Sequence, residues 1–179
     1  GTSAITAVTA QNSLGVTGIH EIPIDIVSRQ IDAIIEDIGV DATKTGMLFS
    51  AGIIERVADR IKAHSLENIV LDPVMVAKGG DRLLRVDAVH ALKELLIPLA
   101  LVITPNAGEA EVLSAHPVTT MAQAREAARS IHAMGARYVV VKGGHFGVDA
   151  IDLLFDGSAF EEFPVKRIDT SSTHGTGCT

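Results

Sequence analysis

The chain has 179 residues, of which 47% are hydrophobic and 21% are charged, and its formal net charge is −7. This length and composition predict a single globular domain over residues 1–179 and exclude a disordered chain. The negative charge argues against nucleic acid or an anionic membrane as the main partner, and the single cysteine excludes an internal disulfide and predicts a reducing, cytoplasmic location.

The first half of the chain alternates strand-like and helix-like patterns. Residues 2–10 predict a strand, and the polar, glycine-bearing residues 11–18 predict a loop at its carboxyl end. Asp25 is predicted to cap an amphipathic helix that ends near Asp37, because isoleucine and valine recur between them at helical spacing. The other elements predicted in this half are a short strand over residues 43–48, a helix over residues 51–64 capped by Ser50, and a strand over residues 69–71 that ends at Asp72.

The second half continues the same alternation. Residues 74–85 are too glycine-rich and irregular for a helix and predict a mobile loop. Thr120 and Gln123 have the spacing of a capping box, which predicts a helix to Met134 that Gly135 ends. The other predicted elements are a helix from Asp87 to Leu95 that Pro98 ends, strands over residues 101–104 and 137–141, and a hairpin over residues 150–165 that turns at Asp156-Gly157.

The alternation of strand and helix predicts an α/β fold with a mostly parallel sheet and helices on both faces, in three layers. In such sheets ligands bind outside the carboxyl ends of the strands. We therefore expect an active site where six polar or glycine-rich segments converge at one edge: Gln11-Asn12, Met47, Asp72-Pro73, Thr104-Pro105-Asn106, Lys142-Gly143-Gly144 and Gly175-Thr176-Gly177-Cys178.

The last of these segments has the composition of an anion site. Gly175, Thr176 and Gly177 allow successive backbone N–H groups to point into one concave spot, and a following helix would add positive potential there. The thiol of Cys178 in that field would have a lowered pKa and could act as a proton acceptor or nucleophile. The structural alternative is a common glycine turn beside a small buried cysteine.

The other candidate residues have structural alternatives too. Asn106 and Glu109 have capping-box spacing, which alone explains them, whereas the functional interpretation places Glu109 on water held by a magnesium ion. Asp72 closes a strand but also begins a common Asp-Pro turn. Lys142 either extends to solvent or meets phosphate, and Lys44 is equally ambiguous.

Several other site types are disfavoured by spacing. The seven histidines include no pair at zinc-binding spacing on a helix and none beside the cysteine. The sequence also lacks a P-loop motif and a G-x-S-x-G motif, which disfavours P-loop kinases and serine hydrolases.

Taken in order, these segments resemble the hydroxymethylpyrimidine phosphate kinases of thiamine biosynthesis, in the ribokinase-like superfamily. The resemblance implies an enzyme that uses ATP and Mg²⁺ to phosphorylate hydroxymethylpyrimidine and then its monophosphate. The matching runs, which together span almost the whole chain, are residues 6–12, 44–48, 71–75, 103–106, 141–145 and 173–179.

The resemblance also implies a role for each candidate residue. Cys178 would be the catalytic base, with Gly175, Thr176 and Gly177 holding the developing phosphate charge. The remaining roles are substrate binding for Gln11, Met47 and Val74, nucleotide binding for Asn106, Lys142 and Gly144, and a magnesium site for Asp72 and Glu109, the latter through water. The loop over residues 74–85 would close over the substrate and exclude water.

The chain departs from the family pattern at both ends. It begins after a first strand and glycine-rich segment, and it stops before the helices that follow the cysteine. We therefore expect an internal fragment, incomplete at both termini and inactive by itself, of a longer protein that the resemblance implies to be a homodimer. Two alternatives remain open: a pyridoxal kinase on the same scaffold, and a non-catalytic sensor that binds the pyrimidine.

Overall fold

The chain forms a six-stranded mixed sheet and a separate two-stranded sheet. The structure is a computed structural model that describes residues 1–12, 15–75, 83–143 and 150–165. The small sheet pairs β1 with β2, and the order of the large sheet is β3-β4-β5-β6-β7-β8. The strands are β1 Ala7–Gln11, β2 Val16–Glu21, β3 Thr43–Thr45, β4 Ile69–Leu71, β5 Val102–Ile103, β6 Tyr138–Val141, β7 Ala150–Phe155 and β8 Phe160–Val165. The helices are α1 Ile24–Asp37, α2 Ala51–Ala63, α3 Val86–Ala91, α4 Ala107–Ser114 and α5 Met121–His132.

The large sheet is parallel from β3 to β6 and antiparallel at β7 and β8. Helices connect the parallel strands, whereas the predicted hairpin over residues 150–165 folds back on itself and reverses direction. Gly157, in the predicted turn, has a φ of +95°, which glycine adopts without strain. The predicted α/β fold is confirmed, with a mixed sheet.

Two groups of helices complete the layers. Helix α2 packs with both α1 and α3, while α4 packs with α5, which in turn contacts β6 and β7. Fully buried aliphatic side chains on the helices and the central strands form one continuous core, including Ile53, Ile54, Ile69, Leu71, Leu113, Ile103 and Ile131. In the part of the chain that the structure describes, no helix is long and apolar enough to cross a membrane.

The predicted caps of α2 and α5 are confirmed, and the predicted cap of α1 is wrong. The Ser50 hydroxyl accepts a hydrogen bond from the Ile53 N–H at 3.4 Å, and Thr120 and Gln123 form the expected reciprocal capping box. Asp25 is not a cap: α1 begins at Ile24 after Pro23, which supplies no side-chain hydrogen bond. Asp25 lies instead in the first turn, where a carboxylate is stabilised by the helix dipole.

The first strand and loop are also corrected. β1 begins at Ala7 instead of residue 2, and residues 16–18, predicted as loop, belong to β2. The chain turns back at Asn12, whose N–H donates to the Gly15 carbonyl and whose side chain accepts from the Gly15 N–H. A strand in a small, largely exposed sheet needs no apolar alternation, so the polar residues after Gln11 gave no strand signal.

The helical segment after α3 extends further than predicted. It continues in wider π-type turns over Leu92–Leu96 and ends in a 3₁₀ turn over Ile97–Leu99. Pro98 therefore lies inside the final turn instead of beyond the helix. It is tolerated at the start of that turn, where no backbone N–H is needed.

Candidate active site

Four polar side chains share one face of the large sheet. The strand registers place Lys44 opposite Val70, two residues before Asp72, and they place Asn106 opposite Lys142. Because side chains alternate between faces, Lys44 and Asp72 project on the same side. Val70 pairs with Val102, which pairs with Tyr138. Asn106 and Lys142 each lie four residues beyond these last two, so their side chains project on that side too.

Asp72 is the buried centre of this group. Only 3% of the residue is exposed, and its Oδ1 accepts a hydrogen bond from Lys142 Nζ at 3.0 Å. Its Oδ2 lies 3.5 Å from Lys44 Nζ. A buried charge is costly unless it is paired, and here two ammonium groups compensate one carboxylate. Both lysines keep part of their side chains in solvent, which leaves them accessible to a ligand.

Glu109 is held beside Asp72 by the start of α4. Its carboxylate accepts a hydrogen bond from the Asn106 N–H at 2.8 Å, and Asn106 Oδ1 accepts from the Glu109 N–H at 2.9 Å. The predicted capping box is therefore present. Burial raises the pKa of Glu109 above its ordinary value of 4.5, and repulsion from Asp72 adds to this, against hydrogen bonds from backbone N–H groups and attraction to Lys142.

The two carboxylates form a donor set suited to magnesium. Among the described residues there is no cluster of three or more histidine, cysteine or acidic side chains that could enclose a metal by itself. Mg²⁺ commonly takes one or two carboxylates and completes its shell with water and substrate phosphates. Asp72 and Glu109, close enough for their charges to interact, fit that pattern.

Gly143, directly after Lys142, is packed tightly against β7. The Gly143 N–H donates to Asp152 Oδ1 at 2.6 Å, and a Cβ atom at position 143 would lie 2.1 Å from the Ile151 carbonyl oxygen. Only glycine allows so close an approach of two backbones. This contact holds the residue that directly follows Lys142 against β7.

The predicted substrate residues are less closely grouped. Val74 follows Asp72, and its N–H donates to the Asp72 carbonyl at 2.9 Å. The Met47 carbonyl accepts from the Thr6 hydroxyl at 2.6 Å, which ties the segment before β1 to the end of β3. Gln11 ends β1, on the small sheet, where it is exposed.

Several predicted residues fall outside the described part of the chain. They are Gly144 in the nucleotide site, and Gly175, Thr176, Gly177 and Cys178 in the anion site and at the catalytic position. Most of the predicted loop over residues 74–85 is outside as well, but its base is described: the Leu83 and Leu84 N–H groups both donate to the Met75 carbonyl.

A cavity of about 420 Å³ lies to one side of this polar group. It is enclosed by the first residues of the chain, β3, α1 and α2, and its walls are largely aliphatic. Lys44 and Met47 line it, but Asp72, Glu109 and Lys142 do not. Charge and hydrogen-bonding groups are what a reaction needs, so the polar group and not the cavity marks the candidate active site.

The sequence did not determine whether Lys44 belongs to the site or extends into solvent. The structure puts its ammonium group on Asp72, which the motif around it does not indicate. Strand register decides the matter: Lys44 aligns with Val70, two residues before Asp72, and this register puts Lys44 and Asp72 on the same face, whereas a shift of one residue would separate them.

Comparison with known proteins gives consistent matches. A family model described as phosphomethylpyrimidine kinase matches residues 1–179. The hydroxymethylpyrimidine/phosphomethylpyrimidine kinase of Bacillus subtilis is 50% identical over 181 residues, covering 100% of this chain and 67% of that protein.

Solved structures agree with these matches. A phosphomethylpyrimidine kinase from Clostridium difficile has a TM-score of 0.81 at 36% identity, over 89% of this chain and 69% of that one. The ADP complex of Bacillus subtilis pyridoxal kinase has a TM-score of 0.87 at 43% identity, over 98% of this chain and 67% of that one. The chain thus spans about two thirds of the length of each of these three proteins.

Proposed function

The chain belongs to the phosphomethylpyrimidine kinase family, and from this premise we propose that the full-length gene product is an ATP-dependent kinase of thiamine biosynthesis. It phosphorylates 4-amino-5-hydroxymethyl-2-methylpyrimidine and then phosphorylates the resulting monophosphate to the diphosphate. The observation that carries the proposal is the buried Asp72, paired with Lys142 and next to Glu109 at the carboxyl ends of parallel strands. Lysines and paired carboxylates at such an edge suit a nucleoside triphosphate and its metal ion.

Lys142 is the residue that we assign to the nucleotide phosphates. Its side chain is partly exposed, and its ammonium group already engages one anion, Asp72, at 3.0 Å. A phosphate carries more negative charge than a carboxylate and presents more acceptor oxygens, so it competes well for the same donor. Asn106, next to Lys142 in the sheet, and Gly144 complete the proposed nucleotide site.

Asp72 and Glu109 are the proposed magnesium residues, with Glu109 acting through water. When bound, the ion would neutralise charge on the phosphate oxygens during transfer. The pKa of Glu109 is raised mainly by burial, with a smaller contribution from repulsion by Asp72, and a nearby cation would oppose both by stabilising the charged carboxylate.

The chemical step rests on the resemblance at residues 173–179. Cys178, as thiolate, takes the proton from the substrate hydroxymethyl group while that oxygen bonds to the γ-phosphorus and the bond to the ADP oxygen breaks. Backbone N–H groups of Gly175, Thr176 and Gly177 hold the developing charge. In the second transfer the attacking phosphate oxygen is already an anion, so that step depends less on Cys178.

Gln11, Met47 and Val74 are the proposed contacts of the pyrimidine ring. A glutamine amide both donates and accepts hydrogen bonds, which suits a ring that presents an amino group beside a ring nitrogen. Gln11 is exposed at the end of β1, where its side chain is available to a ligand.

The test is ATP-dependent phosphorylation of the pyrimidine by the full-length gene product and by its Cys178→Ala variant. We expect product from the wild type, loss of the first transfer in the variant, and partial retention of the second. Lys62→Ala, which changes an exposed lysine on α2, is the matched control and should keep both transfers. Pyrimidine binding without product would favour the sensor alternative.

Pyridoxal is the second candidate substrate, because a pyridoxal kinase of Bacillus subtilis is 43% identical over 98% of the chain. Comparing kcat/KM for the two alcohols under identical conditions separates the alternatives. We expect the pyrimidine to be preferred. A higher kcat/KM for pyridoxal would assign the protein to the second activity.

A further inference from the structure

Asp72 is held by two lysines that come from different strands. Lys142 follows β6 and bonds Oδ1 at 3.0 Å, whereas Lys44 lies in β3 and approaches Oδ2 to 3.5 Å. The two ammonium groups therefore approach the carboxylate through different oxygens. Of the two, Lys44 is the more exposed, with 45% of its side chain in solvent against 29% for Lys142.

Nucleotide binding makes conflicting demands on Lys142. In the proposed function this ammonium group contacts phosphate, yet it is also the nearer partner of a carboxylate that is only 3% exposed. Removing one partner from a buried charge is strongly unfavourable, because little water can replace the lost contact. Affinity for the nucleotide therefore depends on what else holds Asp72 when Lys142 turns away.

We propose that Lys44 is a positioning residue for nucleotide binding: its ammonium group keeps Asp72 compensated and in place while Lys142 moves to the nucleotide phosphates. The inference rests on the proposed function, which assigns Lys142 to phosphate. Lys44 acts through Asp72 and makes no contact with the nucleotide. Its position in β3, opposite Val70, places it on the correct face to do so.

The experiment measures ADP affinity by calorimetry on the full-length gene product, in chelator and without magnesium, so that neither turnover nor the metal contributes. Lys44→Met should weaken ADP binding about tenfold, the usual effect of losing one interaction with a charged group. Lys44→Arg should retain most of the affinity, since it keeps the charge. Lys62→Met, at an exposed lysine on α2, should bind ADP like the wild type.

The decisive comparison repeats Lys44→Met in an Asp72→Asn background. The asparagine carries no charge to compensate, so the second substitution should leave ADP affinity unchanged within about twofold. A thermal melt of each variant establishes that it is folded at the temperature of the titration. The two variants that carry Asp72→Asn have no buried carboxylate at position 72 that could lose its partner, so a difference in ADP affinity between them does not arise from unfolding.

Two results would overturn the proposal. If Lys44→Met weakens ADP binding equally with and without Asp72, Lys44 contacts the nucleotide itself. If Lys44→Met binds ADP like the wild type, Lys44 has no part in binding. Failure of the proposed function is distinguishable, because then the wild type would neither bind ADP nor phosphorylate the pyrimidine.

Discussion

Replacing Gly143 by alanine tests whether the close approach of two backbones positions Lys142. The added Cβ would lie 2.1 Å from the Ile151 carbonyl oxygen, 2.4 Å from its carbonyl carbon and 2.5 Å from its nitrogen. Contacts of a real Cβ essentially never fall below 3.0 Å. The backbone of β7 must therefore retreat by about 1 Å, and backbone, unlike a flexible side chain, does so at a cost.

The expected loss of stability follows from the contacts that such a shift breaks. The Gly143 N–H donates to the Asp152 carboxylate at 2.6 Å, and hydrogen bonds to charged groups contribute about 1.5–3 kcal/mol. The pairing of β6 with β7 begins at Val141 and Leu153, and one weakened backbone bond there adds about 1 kcal/mol. We expect Gly143→Ala to lower the free energy of unfolding by about 2–4 kcal/mol.

The assay is urea denaturation of the wild type, Gly143→Ala and a matched glycine variant, Gly18→Ala. At position 18 the nearest atom to the new Cβ would be Ala10 Cβ at 3.7 Å, an ordinary contact, so stability should change by no more than about 0.5 kcal/mol. Gly143→Ala should also weaken ADP binding, because Lys142 directly precedes the displaced residue. An unfolding free energy for Gly143→Ala within about 0.5 kcal/mol of the wild type would refute the reasoning.

Three further predictions concern single side chains. Burial raises the pKa of Glu109 above 4.5, so this residue favours the folded state most when it is protonated. The unfolding free energy of the wild type minus that of Glu109→Gln should therefore fall as the pH rises through the raised pKa. A difference that does not change with pH would contradict this. The hydrogen bond from His64, with smaller contributions from Arg60, holds the pKa of Asp32 below 3.8. The ionised Asp32 therefore stabilises the fold at pH values above its unfolded pKa, and this stabilisation is lost as the pH falls. The melting temperature of Asp32→Asn should accordingly decline less steeply in acid than that of the wild type. Ser50→Ala removes the N-cap of α2 and should cost about 1 kcal/mol in urea denaturation, with no change expected if the cap contributes nothing.

The positions of most elements could be predicted because their signals are local. The serine cap of α2, the capping box of α5 and the hairpin turning at Asp156 each depend on residues within a few positions of one another. β2 was missed because a strand in a largely exposed two-stranded sheet carries no alternating apolar pattern. The cap of α1 was misassigned because Asp25 is as favourable in a first helical turn as at a cap.

The candidate site was predictable in composition but not in geometry. Asp72, Asn106, Glu109 and Lys142 could be selected because they follow predicted strands, and ligands bind at that edge of such sheets. Their contacts could not be derived, since the role of Glu109 as a cap and its role beside Asp72 use the same side chain. Lys44 stayed ambiguous because only strand register decides which face of the sheet it occupies.

The sequence by itself determined the alternation of strands and helices, the α/β class and the order of motifs that assigns the family. Tertiary structure decided that the sheet is mixed, that Asp72 is buried, and that two lysines share its carboxylate. The physical reason is range. Caps and periodicity are set by neighbours a few residues apart, whereas Lys142 and Asp72, 70 residues apart, meet only because parallel strands bring their carboxyl ends to one edge.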